Sequence, residues 1–152
     1  MRLFETPQIE FTSDDYYTPK WIFDTLGLVF DLDVAAPPNG GPFVPCKQFY
    51  TQAQDGLTSE WFGSVWMNPP FSAPSKWVTK FIEHAQGVAI VGTSNGRWLN
   101  TLWNSDAMFA ALDYVSFWTP NGPMKTPIPI RCWLVAFGEL ETKALKNFSK
   151  VR

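Results

Sequence analysis

The sequence predicts a single α/β domain built on a mostly parallel sheet, with an antiparallel edge strand near the C-terminus. Three observations carry this. Strand-like apolar runs alternate with helix-like segments along the chain, the pattern of a parallel sheet with helical crossovers. One run, Gly87-Val88-Ala89-Ile90-Val91-Gly92, is apolar without alternation, as expected of a strand covered on both faces. At 152 residues the chain suffices for one real core and is too short for two ordinary domains. No internal repeat or low-complexity linker divides it.

Taken in order, residues 1–15 are polar and expected to form an irregular arm, leaving 16–152 as the compact domain. Thr18-Pro19 opens a helix, with Thr18 as N-cap, Pro19 at the first helical position, and Trp21, Ile22 and Leu26 on one face; Gly27 ends it. Leu28 to Val34 reads as a buried strand running into the breaker-rich loop Ala35-Ala36-Pro37-Pro38-Asn39-Gly40-Gly41-Pro42. A second strand is expected around Gln48-Phe49-Tyr50, and a third, Val65-Trp66-Met67, leads directly into Asn68-Pro69-Pro70-Phe71. Pro74 begins a helix whose apolar positions Trp77, Val78, Phe81, Ile82 and Ala85 follow helical spacing. After the strand at 87–92 come a helix through Arg97–Trp103 and strands at Tyr114–Trp118 and Arg131–Phe137. That last pair has a long Pro-rich connection, Thr119 to Pro129, and is the candidate antiparallel pair.

Composition excludes several classes. No apolar run approaches the roughly 20 residues of a membrane-spanning helix, and the first residues lack the apolar core of a signal peptide, so a cytoplasmic protein is expected. Cys46 and Cys132 are too few for a disulfide framework, and with His84 they make no metal-ligand cluster; they read as free thiols, and His84 as a surface or edge residue. The net charge of −2 is not the footprint of a protein that coats nucleic acid by bulk charge. Basic residues do gather late in the chain, at Lys125, Arg131, Lys143, Lys146, Lys150 and Arg152, as a phosphate-contacting face or a solvated helix. Eight tryptophans provide core, and also planar surfaces suited to stacking on a purine.

The chemistry concentrates at strand ends, where open α/β sheets bind ligands. An exocyclic amino group on a base is a poor nucleophile, because its lone pair is delocalised into the ring. Two acceptors aimed at its N–H bonds favour a more tetrahedral nitrogen and free that pair. The side-chain carbonyl of Asn68 and the backbone carbonyl of Pro69 can be those acceptors. Pro69 and Pro70 stiffen the loop, and Phe71 can stack on a base swung out of a duplex. The bland reading is a Pro-rich turn, disfavoured by its place between a strand and an amphipathic helix. Asp33, also at a strand end, can accept from a bound nucleoside or amino group, or simply cap its own loop. Asp31 can point to solvent, and Asp55-Gly56-Leu57 can be a plain turn. Pro45-Cys46 faintly resembles the nucleophile loop of cytosine C5 methyltransferases but lacks its surroundings, so Cys46 reads as a loop cysteine.

The ordered set Asp15-Tyr16-Tyr17-Thr18-Pro19-Lys20-Trp21, Phe30-Asp31-Leu32-Asp33-Val34-Ala35-Ala36, Asp55-Gly56-Leu57 and Trp66-Met67-Asn68-Pro69-Pro70-Phe71-Ser72 resembles the bacteriophage DNA N6-adenine methyltransferase (Dam-type) family, over roughly residues 14–137. The resemblance implies a Rossmann-like fold that binds S-adenosylmethionine and acts on DNA; with the composition, neither a metal nor a membrane is expected as a partner. It implies that Tyr17, Thr18 and Pro19 form the N-terminal donor-binding segment. Asp33, Ala35 and Ala36 would lie close to the methionine moiety, Asp55 and Leu57 against the donor's adenine, and Asn68 to Phe71 would form the catalytic loop. Three departures stand out. Ala35-Ala36-Pro37-Pro38 replaces the Gly-x-Gly turn of many amino-methyltransferases, no acidic residue for the donor ribose follows the second strand, and 119–129 is unlike a tidy continuation. A separate target-recognition domain is not expected.

The function expected is methyl transfer to adenine N6 in DNA, protecting it from restriction. Cytosine N4 presents the same electronic problem to the same loop, and RNA or protein amide methylation uses similar loops. A catalytically silent nucleic-acid-binding module of the same fold is the alternative of a different class.

Overall fold

The computed structural model describes residues 8–93 and 96–148. Lys150 and Arg152 of the basic group and the first part of the expected arm lie outside the described residues. Six strands form one sheet in the order β2-β1-β3-β4-β8-β5. They are β1 (Phe30–Asp33), β2 (Cys46–Phe49), β3 (Val65–Met67), β4 (Gly87–Gly92), β5 (Met108–Ala111) and β8 (Cys132–Phe137). β1 pairs in parallel with β2 and β3, and β3 with β4, so these four strands point their carboxyl ends the same way.

Side-chain alternation sends each strand's residues into two cores. On one face Phe30, Trp66, Val88, Ile90, Leu134 and Ala136 meet Ile22, Phe23 and Leu26 of α1 (Lys20–Leu26) and Ala144 and Leu145 of α4 (Glu139–Leu145). On the other, Leu32, Val65, Met67, Ala89, Val91 and Val135 meet Val78 and Phe81 of α2 (Ser75–His84) and Leu102 of α3 (Arg97–Trp103). Residues 87–91 are all buried, as their unbroken apolarity predicts for a strand covered on both sides. The expected helix at Arg97–Trp103 is present, and Gly27 ends α1 in the left-handed conformation (φ 66°), its N–H donating to the Phe23 carbonyl.

Three expectations are corrected. The antiparallel strand is not at the edge: β8 runs antiparallel between β4 and β5, and β5 is the edge. The segment 114–118 forms no strand of this sheet; β8's outer neighbour is Met108–Ala111. Val115 and Phe117 are buried, but their carbonyls accept from Ile128 and Met124 of the Pro-rich return, which includes the small hairpin β6 (Trp118–Thr119) and β7 (Gly122–Pro123). Pro123, Pro127 and Pro129 lack N–H groups, so this return cannot serve as a full ladder partner. Thr18 does not cap α1 either: Pro19 is the N-cap residue, without a side-chain cap bond, and the Thr18 hydroxyl is engaged elsewhere.

The described part of the arm, residues 8–15, is irregular apart from a 3-10 turn at Ser13–Asp15, but it is anchored. Asn121 of the hairpin turn receives the Ile9 N–H on Oδ1 and donates Nδ2–H to the Ile9 carbonyl, both at 2.7 Å, and Tyr17 bridges to Trp118. No helix among the described residues is long and apolar enough to cross a membrane.

Candidate active site

The loops leaving the carboxyl ends of β1, β2 and β3 surround a cleft of about 600 Å³. The arm closes it on one side and Trp77 of α2 contributes another wall. Of the residues singled out in the sequence, Tyr17, Thr18, Asp33, Ala35, Ala36, Asp55, Asn68 and Pro70 line this cleft together. Pro19, Leu57, Pro69 and Phe71 do not. Pro69 and Phe71 line a second cavity of about 260 Å³ with Ser72, Val91, Thr93 and Trp98, so the Asn68–Phe71 loop forms the partition between the two spaces.

Asn68 is oriented by the arm. Its Nδ2 donates to the Tyr16 carbonyl at 2.9 Å and more weakly to the Thr18 hydroxyl at 3.4 Å. A backbone carbonyl can only accept, so the amide nitrogen must face the arm and Oδ1 is left as the acceptor side. Phe71 stands edge-on to Tyr16 and Phe117, with ring centroids 6.0 and 5.7 Å away. It is half-buried in this cluster, which fixes the ring and the end of the loop.

Asp33 ends β1 and is 2% exposed. Its Oδ1 accepts the Ala35 N–H at 3.2 Å, the local capping bond that the sequence allows. Burial raises its pKa to about 7, against the smaller lowering by that hydrogen bond. A cation entering the cleft would pull it back toward the ionised form. Asp31, by contrast, stays half-exposed, bonded to the Ser64 N–H and paired with Lys47. The charged residues lining the cleft are Asp14, Asp15, Asp33 and Asp55, all acidic, which favours a positively charged ligand.

Asp55 sits in the left-handed region (φ 55°) and receives the Leu57 N–H on Oδ1 at 3.1 Å. Gly56 passes so close to the Val34 carbonyl and the Trp77 ring that a Cβ would overlap the oxygen. The loop is the plain Asp-Gly turn the sequence allows, and it also reaches the cleft.

Sequence reasoning missed Asp14, Thr51, Gln52 and Trp77 as lining residues. Only Trp77 left a signal, its place one turn into the helix that follows the Asn68 loop. Cys46 is a half-buried free thiol on β2, its pKa raised by burial and by Asp33, and Cys132 is buried. His84 is half-buried, its Nε2 2.7 Å from the Gly63 carbonyl and its ring against Trp61. Neither thiol nor His84 lines either cavity. Among the described residues no group of three or more His, Cys, Asp or Glu side chains is placed to hold a metal ion.

The DNA N-6-adenine-methyltransferase of Haemophilus phage HP1 (strain HP1c1) is 35% identical over 77 residues, 47% of this chain. The match covers 43% of that relative's length, so less than half of it is represented. A family model described as DNA N-6-adenine-methyltransferase (Dam) matches residues 6–110, which include the arm's inner part, both strand-end loops and the Asn68–Phe71 loop. With well over half of its residues inside that match, the chain belongs to the DNA N-6-adenine-methyltransferase (Dam) family.

Proposed function

We propose that the protein transfers a methyl group from S-adenosylmethionine to the exocyclic N6 of adenine in DNA, on a base swung out of the duplex. The observation that carries this is the fixed orientation of Asn68, whose amide nitrogen is held by Tyr16 and Thr18 so that its carbonyl is the acceptor side. The acidic cleft suits the donor, which carries a sulfonium and an ammonium group. When bound, the donor supplies an electrophilic methyl group. Tyr17, Thr18, Asp33, Ala35, Ala36 and Asp55 line the space for it; Pro19 supports that wall from the start of α1, and Leu57 fixes the Asp55 side chain.

The second cavity suits the target base. Phe71 and Trp98 offer aromatic walls, while Ser72 and Thr93 offer hydroxyls. Asn68 Oδ1 and the Pro69 carbonyl would accept from the amino group, drawing its lone pair out of conjugation as the N–CH3 bond forms, the sulfonium S–CH3 bond breaks to a neutral thioether, and the surplus amino proton passes to solvent. This preorganised acceptor pair needs no covalent intermediate. Methylation of this kind shields DNA from restriction, a role suited to a phage enzyme working in the host cytoplasm.

The test is labelled S-adenosylmethionine with unmethylated DNA, followed by mass spectrometry of the nucleosides. N6-methyladenine should form, and Asn68→Ala should slow it about 100-fold or more while leaving donor affinity within about threefold. N4-methylcytosine, or label on protein alone, would overturn the substrate assignment. Donor binding without transfer would favour the silent module.

A further inference from the structure

Lys80 lies on α2, one turn beyond the cleft-lining Trp77, yet its charge is turned away from solvent into the Asp55 loop. Its ammonium donates to the carbonyls of Gly56 (3.0 Å), Leu57 (3.0 Å) and Ser59 (2.5 Å). An ammonium has three N–H donors, and three acceptors meet them, which offsets the cost of half-burying the charge. The Trp61 ring lies 5.1 Å from the nitrogen, and its indole Nε1–H donates to the Gly56 carbonyl at 2.7 Å. Both lone pairs of that carbonyl are therefore used. The far side of Gly56 is closed by the Val34 carbonyl and Trp77. This ammonium does not line the cleft and bonds to no side chain of the loop, only to its backbone.

We propose that Lys80, seated on Trp61, is a positioning residue for the methyl donor: its three-carbonyl clasp holds the 55–59 turn at the height where Asp55 and Gly56 form the cleft wall. The proposal rests on the reading of this cleft as the donor site. α2 begins directly after the Asn68 loop, so one rigid helix ties the donor wall to the amino-directed acceptors. A clasp of this kind acts on donor affinity, because the loop it holds contributes Asp55 and Gly56 to the donor cleft and no residue to the partition where the amino group reacts.

The test is donor binding by calorimetry and steady-state kinetics on the full chain, with amide hydrogen exchange on the same samples. Lys80→Met should raise both Kd and KM for S-adenosylmethionine about tenfold or more, with kcat at saturating donor within about twofold. Exchange at Leu57, Thr58 and Ser59 should accelerate while that of β3 and β4 stays unchanged. Trp61→Phe, a milder change that removes one donor to Gly56, should give a smaller rise of the same kind, and it carries the test should Lys80→Met fail to fold. Unchanged donor affinity in the folded variant would overturn the clasp. So would a fall in kcat with Kd constant, or faster exchange spread over the whole sheet. If the unaltered chain binds no S-adenosylmethionine, the donor-site reading itself fails and takes the clasp's role with it. A wild type that binds, with variants that bind equally well, sinks only the clasp.

Discussion

Ser72 gives both its backbone N–H and its hydroxyl to the carboxylate of Asp14, at 2.9 and 2.6 Å, across 58 residues of sequence. The carboxylate thus latches the arm onto the far end of the Asn68–Phe71 loop, while Tyr16 and Thr18 hold its near end. Asp14→Ala should lower stability by about 1 kcal/mol, the scale of an exposed charge-assisted pair, and Tm by roughly 2–4 °C. Methyl transfer and donor binding should both weaken several-fold, because the carboxylate latches the loop and is also one of the acidic residues lining the cleft. Differential scanning calorimetry and parallel binding and rate measurements check both, and Ser72→Ala should reproduce part of each effect.

Asp33 should make the binding of a cationic donor pH-dependent. Its folded pKa, raised by burial to about 7, lies above the ordinary aspartate value of 3.8, so the folded protein keeps a proton that the unfolded chain has released. Stability must fall as pH rises between those values, by at most about 1.4 kcal/mol per pH unit, and level off above about 7. A cationic ligand prefers the ionised form, so affinity for S-adenosylmethionine should strengthen as pH rises toward 7 and flatten beyond it. Asp33→Asn should be more stable than the native chain at pH 8, bind the donor more weakly there, and lose both pH dependences. Urea denaturation and calorimetric titration between pH 5.5 and pH 8.5 decide it.

Gly56 is required by space and not by conformation. In Gly56→Ala the new methyl would meet the Val34 carbonyl and the Trp77 ring, and the first is backbone of a packed β1 end that cannot step aside. A loss of about 1–3 kcal/mol is expected, with weaker donor binding because Trp77 and Asp55 share the same wall. A urea midpoint equal to that of the native chain would refute the argument.

Neither cysteine should matter to the chemistry. Cys46 is held in the thiol form by burial and by the neighbouring Asp33, and burial pushes Cys132 up to about 12. Cys46→Ser should keep methyl transfer within about twofold, and brief treatment with iodoacetamide at pH 7 should leave activity intact. Loss of activity in Cys46→Ser with the fold preserved would point to a thiolate step.

Local pattern made much of this molecule legible. Gly27, the apolar spacing through Val78 and Phe81, and the unbroken 87–92 run each encode a single element, and those elements stand where the sequence puts them. The Asn68 and Asp33 loops fall at neighbouring strand ends because parallel strands align their carboxyl termini. What stayed hidden was non-local. Met108-Phe109-Ala110-Ala111 carries no β-branched residue, so its own composition argues against the strand that β8 imposes on it. Tyr114 to Trp118 has the aromatic content of a strand, but the carbonyls of Val115 and Phe117 bond to Ile128 and Met124 of the Pro-rich return. Thr18 has the residue type of a cap, yet its hydroxyl meets Asn68. Asp14, Asn121 and Lys80 act through backbone groups far along the chain, which no spacing rule records.

The inverted strand β8 also sets the order in which the sheet can be completed. All six residues of β4 pair with it, from Gly87 opposite Phe137 to Gly92 opposite Cys132, and β5 joins the sheet only through it. On the ribosome, the strands that carry the Asp33 and Asn68 loops emerge and can pair first, while β4 presents an apolar, unpaired edge until residues 132–137 are made. A nascent or truncated chain stopped before that point exposes an open sheet edge, ready to pair with another copy. Soluble production of this protein should therefore depend on β8, which covers the β4 edge after the loops of the cleft already exist.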